Sequence, residues 1–304
     1  MTEFSERHIS ARQGVLALSP IVVFLVMYLA VSVAIGDFYR MPLSVAFITA
    51  SVWAVVIDRG RPLAKRIETF SRAAGSSNII YMIWIFILAG AFASLAKEIG
   101  AIDATVTVTL KYLPRQLLLP GLFVAACFIS LSIGTSVGTV VALVPLAVDL
   151  AATGGENVPL FVAAVMGGAF FGDNLSFISD TTIASTRTQG VAMSAKFRAN
   201  LRIVLPAALV TLAVYAVLGA SVSTVVPSGH VNPWLILPYL VIIVLALTGL
   251  NVTVVLVSGI LVAAMIAVCH GYPLIDLAGY MGTGIDSMGD LIIITLLSAG
   301  MLGI

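Results

Sequence analysis

Charged side chains are scarce in this sequence, and cysteine and histidine are rarer still. Only 10% of the 304 residues are charged and 60% are hydrophobic, whereas about 25% charged residues is usual for a soluble domain. The net charge of +1 gives no reason to expect a nucleic-acid partner. This composition excludes an ordinary soluble domain and predicts an all-α, polytopic membrane protein.

The few cysteines and histidines do not form a metal-binding pattern. Cys127 and Cys269 lie in apolar runs, where a small buried side chain is the usual interpretation, and His8, His230 and His270 are isolated from one another. We therefore expect no cofactor and no permanent metal. The N-terminal 13 residues mix acids with arginines, and the apolar run that follows is too long for a cleavable signal.

Apolar segments predict the membrane-spanning helices, each of which needs about 20 residues. Several segments are shorter than this, and the last is expected to be too short to cross the hydrocarbon core. The segments are 15–35, 42–57, 78–96, 116–152, 158–171, 203–226, 233–250, 252–268 and 291–304.

Basic residues predict which loops face the cytoplasm. One cluster lies at 59–72 and a second at 187–202, and Arg7 and Arg12 place the N-terminus on the same side. Residues 194–202 are predicted to form a short interfacial helix. No Lys or Arg is expected within an apolar span, and none follows Arg202, so basic residues do not orient the C-terminal part.

A weak internal repeat suggests a second copy of the first half. Pro62-Leu63 recurs as Pro273-Leu274, and Ala89-Gly90 recurs as Ala299-Gly300, at nearly constant spacing. Secondary transporters are commonly built this way. We expect one transmembrane domain over residues 1–304, with a first repeat at about 15–226 and the start of an incomplete second repeat at about 233–304. The chain is accordingly expected to be a fragment of a longer protein that inserts but does not transport.

The run SIGTSVGT, residues 132–139, interrupts the apolar segment 116–152 with two glycines and four hydroxyls. Close helix packing through small residues is one interpretation, and a helix break with free carbonyls and hydroxyls is another. The two basic clusters require an even number of passes between residues 116 and 152, followed by one inward pass. A re-entrant hairpin that turns near Gly134–Gly138 satisfies this requirement.

Residues 167–190, GGAFFGDNLSFISDTTIASTRTQG, place two aspartates and many hydroxyls in an apolar setting. Oxygen ligands suit hard cations, and ionisable groups at membrane depth mark an ion or substrate pathway. Asp173 and Asp180 either share one face of a continuous helix or flank a break near Gly172, Asn174 and Ser176. In both geometries one site could hold either Na⁺ or a proton.

The predicted ion and proton ligands come from both motifs. A third acid in apolar sequence, Asp149, is either solvated near Gly154-Gly155 or part of the ion path. The ligands are Thr135, Ser136, Thr139, Asp173, Asn174, Ser176, Ser179, Asp180, Thr181 and Thr182.

The two motifs, GTSVGTVVALVPLA followed by the segment 167–190, resemble the NhaC family of Na⁺/H⁺ antiporters. The resemblance implies a bacterial inner-membrane exchanger with two inverted repeats, each holding a re-entrant hairpin and a broken helix. Many members carry a GDHCSPISDTT-like second motif. Asp173, Ser176, Ser179, Asp180, Thr181 and Thr182 match it, but the histidine and the proline are missing.

Alternatives remain from other classes. Relatives within the family exchange malate and lactate, so Na⁺-coupled exchange of a small organic acid is the second interpretation. An intramembrane aspartyl protease needs a GxGD pattern that the sequence around Asp173 lacks, and a channel fits broken helices less well. We expect a transporter with Na⁺ and H⁺ as its ions and no enzyme activity, with the lipid bilayer around it and with a homodimer left open.

Overall fold

The computed structural model describes residues 11–38, 40–111, 114–220, 222, 232–248 and 250–304. Within these ranges every regular element is helical, with 3-10 turns at Arg115–Leu117 and Pro233–Ile236. The α-helices are α1 (Ala11–Ile35), α2 (Leu43–Ile57), α3 (Leu63–Ala74), α4 (Ser77–Glu98), α5 (Ala101–Lys111), α6 (Leu118–Ile133), α7 (Ser136–Gly154), α8 (Val158–Leu175), α9 (Asp180–Gln189), α10 (Met193–Gly219), α11 (Leu237–Leu247), α12 (Val252–Cys269), α13 (Leu274–Ser287) and α14 (Gly289–Leu302).

Six of the described segments are long and apolar enough to cross a membrane, which confirms the predicted all-α, multi-pass membrane protein. Each reaches the length of about 18–20 residues that the hydrocarbon core requires. The six are Leu16–Ile35, Ser77–Glu98, Val158–Gln189, Met193–Gly219, Val252–Cys269 and Leu274–Leu302.

Three expectations from the sequence are wrong. The residues predicted as a separate interfacial helix are the first turns of the 27-residue helix α10, because no Gly or Pro interrupts 194–202. Lys196, Arg198 and Arg202 consequently lie within a candidate span, as does Arg187. The last apolar run is not too short, because it is part of the 29-residue segment Leu274–Leu302.

The chain divides into two compact units. The first contains the residues up to Ile83 together with Met288–Ile304, and its core is Ala50, Ala54 and Met301. Helix α3 in this unit has no buried residue, and its Lys65 and Arg72 pair with Glu68 at 3.1 and 2.7 Å. The pKa of Glu68 is lowered, chiefly by the hydrogen bond from Lys65 and to a smaller extent by the positive charges of Lys65 and Arg72.

The second unit, Trp84–Ser287, contains both polar motifs. Its centre is α6, of which 12 of the 16 residues are buried. Helix α8 packs directly on the backbone of α6 through two glycines. A Cβ atom added at Gly168 would lie 2.4 Å from the carbonyl oxygen of Phe123, and one added at Gly172 would lie 2.3 Å from that of Cys127.

These contacts also give the directions of the helices. From Gly168 to Gly172 to Ser176, the partners on α6 advance from Phe123 through Cys127 to Leu131, so α6 and α8 are parallel. Helix α7 lies between them in sequence and packs against α8. Because a three-residue connection joins α7 to α8, the two helices are antiparallel. The chain therefore reverses between α6 and α7, as the predicted hairpin requires, while its re-entrant placement in a membrane stays a prediction.

Candidate functional site

The first motif forms the tip of the α6–α7 hairpin. Helix α6 ends at Ile133, and Gly134 adopts φ +72°, the left-handed conformation that favours glycine. Thr135 is extended and caps α7, since its hydroxyl accepts a hydrogen bond from the Gly138 amide at 3.2 Å. Gly134 thus ends α6, and Thr135 and Ser136 directly begin α7.

The second motif forms a break between α8 and α9. Helix α8 ends at Leu175, and Ser176–Ser179 are not helical. Ser179 caps α9 by accepting a hydrogen bond from the Thr182 amide at 3.2 Å. Ser176 donates to the Leu131 carbonyl at 2.8 Å and accepts from the Ile178 amide at 3.3 Å. Hydroxyl groups therefore satisfy the backbone that the break exposes.

The two breaks touch each other. A Cβ atom on Gly134 would lie 2.8 Å from Cγ1 of Ile178 and 2.9 Å from the backbone nitrogen of Ser179. Any side chain at position 134 would push the hairpin tip away from the start of α9. Glycine is needed here both for its positive φ and for this close approach.

Asp173 lies where the breaks meet, in the last turn of α8. Ser136, the first residue of α7, donates to its Oδ2 at 2.9 Å. Its Oδ1 is buried and has no hydrogen-bond partner. A buried acceptor without a partner is costly, and a buried carboxylate is favoured only with a nearby positive charge or when protonated. This atom is the feature of the site that most clearly points to a cation or a proton.

Asp180 lies on the other side of the break, as the first residue of α9. Its Oδ1 accepts from the Thr181 amide at 2.6 Å. The hydroxyl of Ser179 lies 3.2 Å from that of Thr181 and donates to that of Thr182 at 2.9 Å. Of the two predicted geometries, the structure has the carboxylates flanking a break.

Three of the predicted residues, Thr139, Asn174 and Asp149, remain to be placed. Thr139 is fully buried, but its hydroxyl donates to the Thr135 carbonyl within α7. Asn174 is exposed and its amide oxygen accepts from Asn200 at 2.6 Å. Asp149 belongs to α7, and its side chain lies outside the part of the chain that the structure describes.

Two residues of α10 lie at the site and are not among the predicted ligands. Lys196 donates to the Asn174 carbonyl at 2.8 Å and also bonds the Thr182 hydroxyl. Asn200 donates to the same carbonyl at 3.2 Å. Their spacing of four residues places them on one helix face, which was the available signal. Lys196 was assigned instead to a basic cluster that orients the chain.

A cavity of about 200 Å³ adjoins the break. Phe177 lines it from the break itself, Thr186 and Arg187 from the end of α9, and Ser194 from the start of α10. Asn251, which caps α12, lines its other side.

Comparison with known proteins places this architecture in a family. The model of the Na⁺/H⁺ antiporter family matches residues 8–220, which include both motifs and the break. The chain belongs to the Na⁺/H⁺ antiporter family. It is 24% identical over 268 residues to the malate-2H⁺/Na⁺-lactate antiporter of Bacillus subtilis (strain 168), a match that covers 82% of this chain and 56% of that protein.

Two further antiporters are similar to this family member. The Na⁺/H⁺ antiporter NhaC of Bacillus subtilis (strain 168) is 29% identical over 63% of this chain and 45% of its own length. An uncharacterized Na⁺/H⁺ antiporter of Haemophilus influenzae (strain ATCC 51907 / DSM 11121 / KW20 / Rd) is 31% identical, and the match covers 67% of this chain and 42% of that protein. The chain thus spans about half the length of the curated relatives that it matches. No solved structure matches it.

Proposed function

We propose that this protein is a secondary transporter that exchanges Na⁺ for H⁺ at the junction of the two helix breaks. The observation that carries the proposal is the buried, unpartnered Oδ1 of Asp173. Family membership and the similarity to antiporters support it. Transport, not catalysis, is accordingly the activity we assign.

Competition for one carboxylate is the physical basis of the exchange. Because its Oδ1 is buried, Asp173 is stable either protonated or beside a bound cation. Na⁺ entering the site therefore displaces a proton, and a returning proton displaces Na⁺. The hydroxyl of Ser136 fixes the carboxylate in both cases, because it donates to Oδ2 and leaves Oδ1 for the ion.

The other oxygens at the break complete the proposed site. Asp180 adds a second carboxylate across the break, and Asn174 and Ser176 contribute oxygens at the end of α8. The proposed ligands from the hairpin tip and the start of α9 are Thr135, Ser136, Thr139, Ser179, Thr181 and Thr182. Hard cations prefer such oxygens, and helix breaks at membrane depth are a recurrent way to present them.

The proposed location is the cytoplasmic membrane of a bacterium, with the N-terminus inside. The exposed basic surface of α3 supports this orientation, since cytoplasmic loops carry an excess of Lys and Arg.

The decisive experiment is substitution of the two aspartates in the protein as its gene encodes it. Asp173→Asn and Asp180→Asn should abolish Na⁺-dependent dissipation of a pH gradient in everted vesicles, with normal membrane insertion. Asp276→Asn, an exposed acid at the start of α13, is the matched control and should leave exchange unchanged. Near-normal exchange by both of the first two variants would refute the assignment.

The cavity beside the break favours one second candidate, exchange of a small organic acid. Arg187, Ser194 and the start of α12 line it, and carboxylates bind well to arginine and to helix N-termini. The similarity to a malate-2H⁺/Na⁺-lactate antiporter supports this candidate. Adding malate or lactate to the vesicle assay separates the two, because only an organic-acid exchanger responds to them. Arg187→Gln should then abolish that response and leave any Na⁺/H⁺ exchange intact.

A further inference from the structure

Lys196 differs from the other basic residues of its cluster. Its side chain is half-buried, and its ammonium bonds the Asn174 carbonyl on one side of the break and the Thr182 hydroxyl on the other. Arg198 and Arg202 lie on the exposed part of α10, and Arg198 bonds the Ser194 carbonyl of its own helix. A residue whose role is only to orient the chain has no need to bridge two elements of the site.

The partners of Lys196 are the kind of oxygens that a metal cation would use. An ammonium group has three donors and no acceptor, so it binds neutral and anionic oxygens, as Na⁺ does. Asp173 directly precedes Asn174, whose carbonyl accepts a hydrogen bond from this ammonium. One negative carboxylate is compensated by one cation, whereas two cations at the same oxygens repel each other.

The start of α10 fixes Lys196 against the break. Phe197 stacks on Phe177 with 4.8 Å between ring centroids, and Asn200 donates to both the carbonyl and the amide oxygen of Asn174. Residues 196, 197 and 200 thus hold one face of the helix on the broken segment. The lysine is presented to the site by packing and does not reach it by a freely moving side chain.

We propose that Lys196 is a resident cation of the transport site, which occupies the oxygens at the break when Na⁺ is absent and must be displaced when Na⁺ binds. The proposal rests on the proposed function. It makes Lys196 a determinant of Na⁺ affinity: its positive charge compensates Asp173 in the state that holds neither Na⁺ nor a proton, and it competes with Na⁺ for Thr182 and Asn174.

The first test compares three variants of the protein as its gene encodes it. Lys196→Gln removes the competing charge, so the apparent KM for Na⁺ should fall by about tenfold, with a matching gain in equilibrium binding of radioactive Na⁺ to the purified protein. Lys196→Arg keeps the charge and should keep the KM near that of the wild type. Arg198→Gln is the control for loss of one positive charge on α10 and should not change the KM.

A merely structural role predicts a different pattern. Lys196→Gln would then lower the maximal rate and the thermal stability, and its KM would not fall. An unchanged or raised KM in Lys196→Gln would overturn the proposal. Failure of the proposed function itself is recognised separately, because Asp173→Asn would then still exchange.

A second test needs no variant. If Na⁺ displaces the ammonium, the Lys196 amine should become more accessible, and its acetylation by an amine-reactive reagent should rise several-fold when Na⁺ replaces choline at constant ionic strength. Peptide mass spectrometry reports the extent at Lys196, with the exposed Lys65 as an internal control. Equal or lower acetylation in Na⁺ would contradict displacement.

Discussion

The hydrogen bond between Ser136 and Asp173 links the two polar segments through their side chains. Its donor is the first residue of one helix and its acceptor lies in the last turn of another. The geometry is possible because Gly134 lets the hairpin tip approach the second break. A small hydroxyl therefore determines the orientation of a carboxylate 37 residues away.

Ser136→Ala should raise the apparent KM for Na⁺ by about tenfold or more, because a hydrogen bond to a charged group contributes roughly 1.5–3 kcal/mol. Ser132→Ala is the matched control. Ser132 is also buried, but its hydroxyl donates to the Phe128 carbonyl of its own helix. The measurement is the Na⁺ dependence of exchange in everted vesicles. An equal effect of both substitutions would show that the loss is one of packing and not of orientation.

Some residues of the site can be predicted from the sequence and others cannot. Hydroxyls and carboxylates in apolar surroundings could be recognised because their burial is costly and needs a reason. The spacing of Lys196 and Asn200 shows a shared helix face but not what that face contacts. Lys196 lies 22 residues from Asn174 and 14 from Thr182, and its contact depends on how α10 packs. The unpartnered state of Asp173 Oδ1 likewise exists only in three dimensions.

At the scale of helices, small residues decide which elements can touch. Gly172 lies against the backbone of α6, where an added Cβ would be 2.3 Å from the Cys127 carbonyl and 2.8 Å from the Leu131 nitrogen. At Gly167, five residues earlier, an added Cβ would lie 3.6 Å from the Phe123 ring, an ordinary contact distance. Both positions are glycine in the sequence, but only position 172 lacks room for a Cβ atom.

Gly172→Ala should therefore lower the thermal stability in detergent, while Gly167→Ala should leave it nearly unchanged. The expected cost at position 172 is about 1–3 kcal/mol, typical of overpacking against atoms that cannot move aside. Melting followed by circular dichroism or by a thiol-reactive dye measures both variants. Equal melting temperatures for the two variants would mean that α8 does not lie on the backbone of α6.

Hydropathy located most helices, and local capping chemistry decided their ends. The long apolar segment 116–152 was divided at Gly134-Thr135 as its glycines and hydroxyls indicate. The start of α10 differs from the prediction, because a basic run followed by an apolar run has the same composition whether it forms one helix or two. Charge composition gives the environment of a residue, and only a helix breaker gives a boundary.

At the scale of the whole molecule, the parallel arrangement of α6 and α8 restricts the topology. The hairpin returns the chain to the end at which α6 began, so the α7–α8 connection should be extracellular and the end of α9 cytoplasmic. The inverted repeats that the sequence suggests stay a prediction. The short helices α3 and α13 both begin at the repeated Pro-Leu pairs.

Single cysteines test this arrangement in a background that lacks Cys127 and Cys269. Glu156→Cys should react with a membrane-impermeant maleimide added to intact cells, while Ser76→Cys and Gln189→Cys should react only in everted vesicles. Labelling of positions 156 and 189 from the same side would exclude the hairpin topology. Denatured samples provide the control for total thiol content.

The glycine contacts at positions 168 and 172 have a consequence for movement. Because backbone lies on backbone at these two positions, a shift of α6 along α8 would break both close contacts. The two helices should move as one rigid body that carries Asp173. If the ion is to be reached first from one face of the bilayer and then from the other, the elements that pack against the end of this helix pair have to move. The first turns of α10, held there by one stacked ring pair and a few polar bonds, are the part best placed to move.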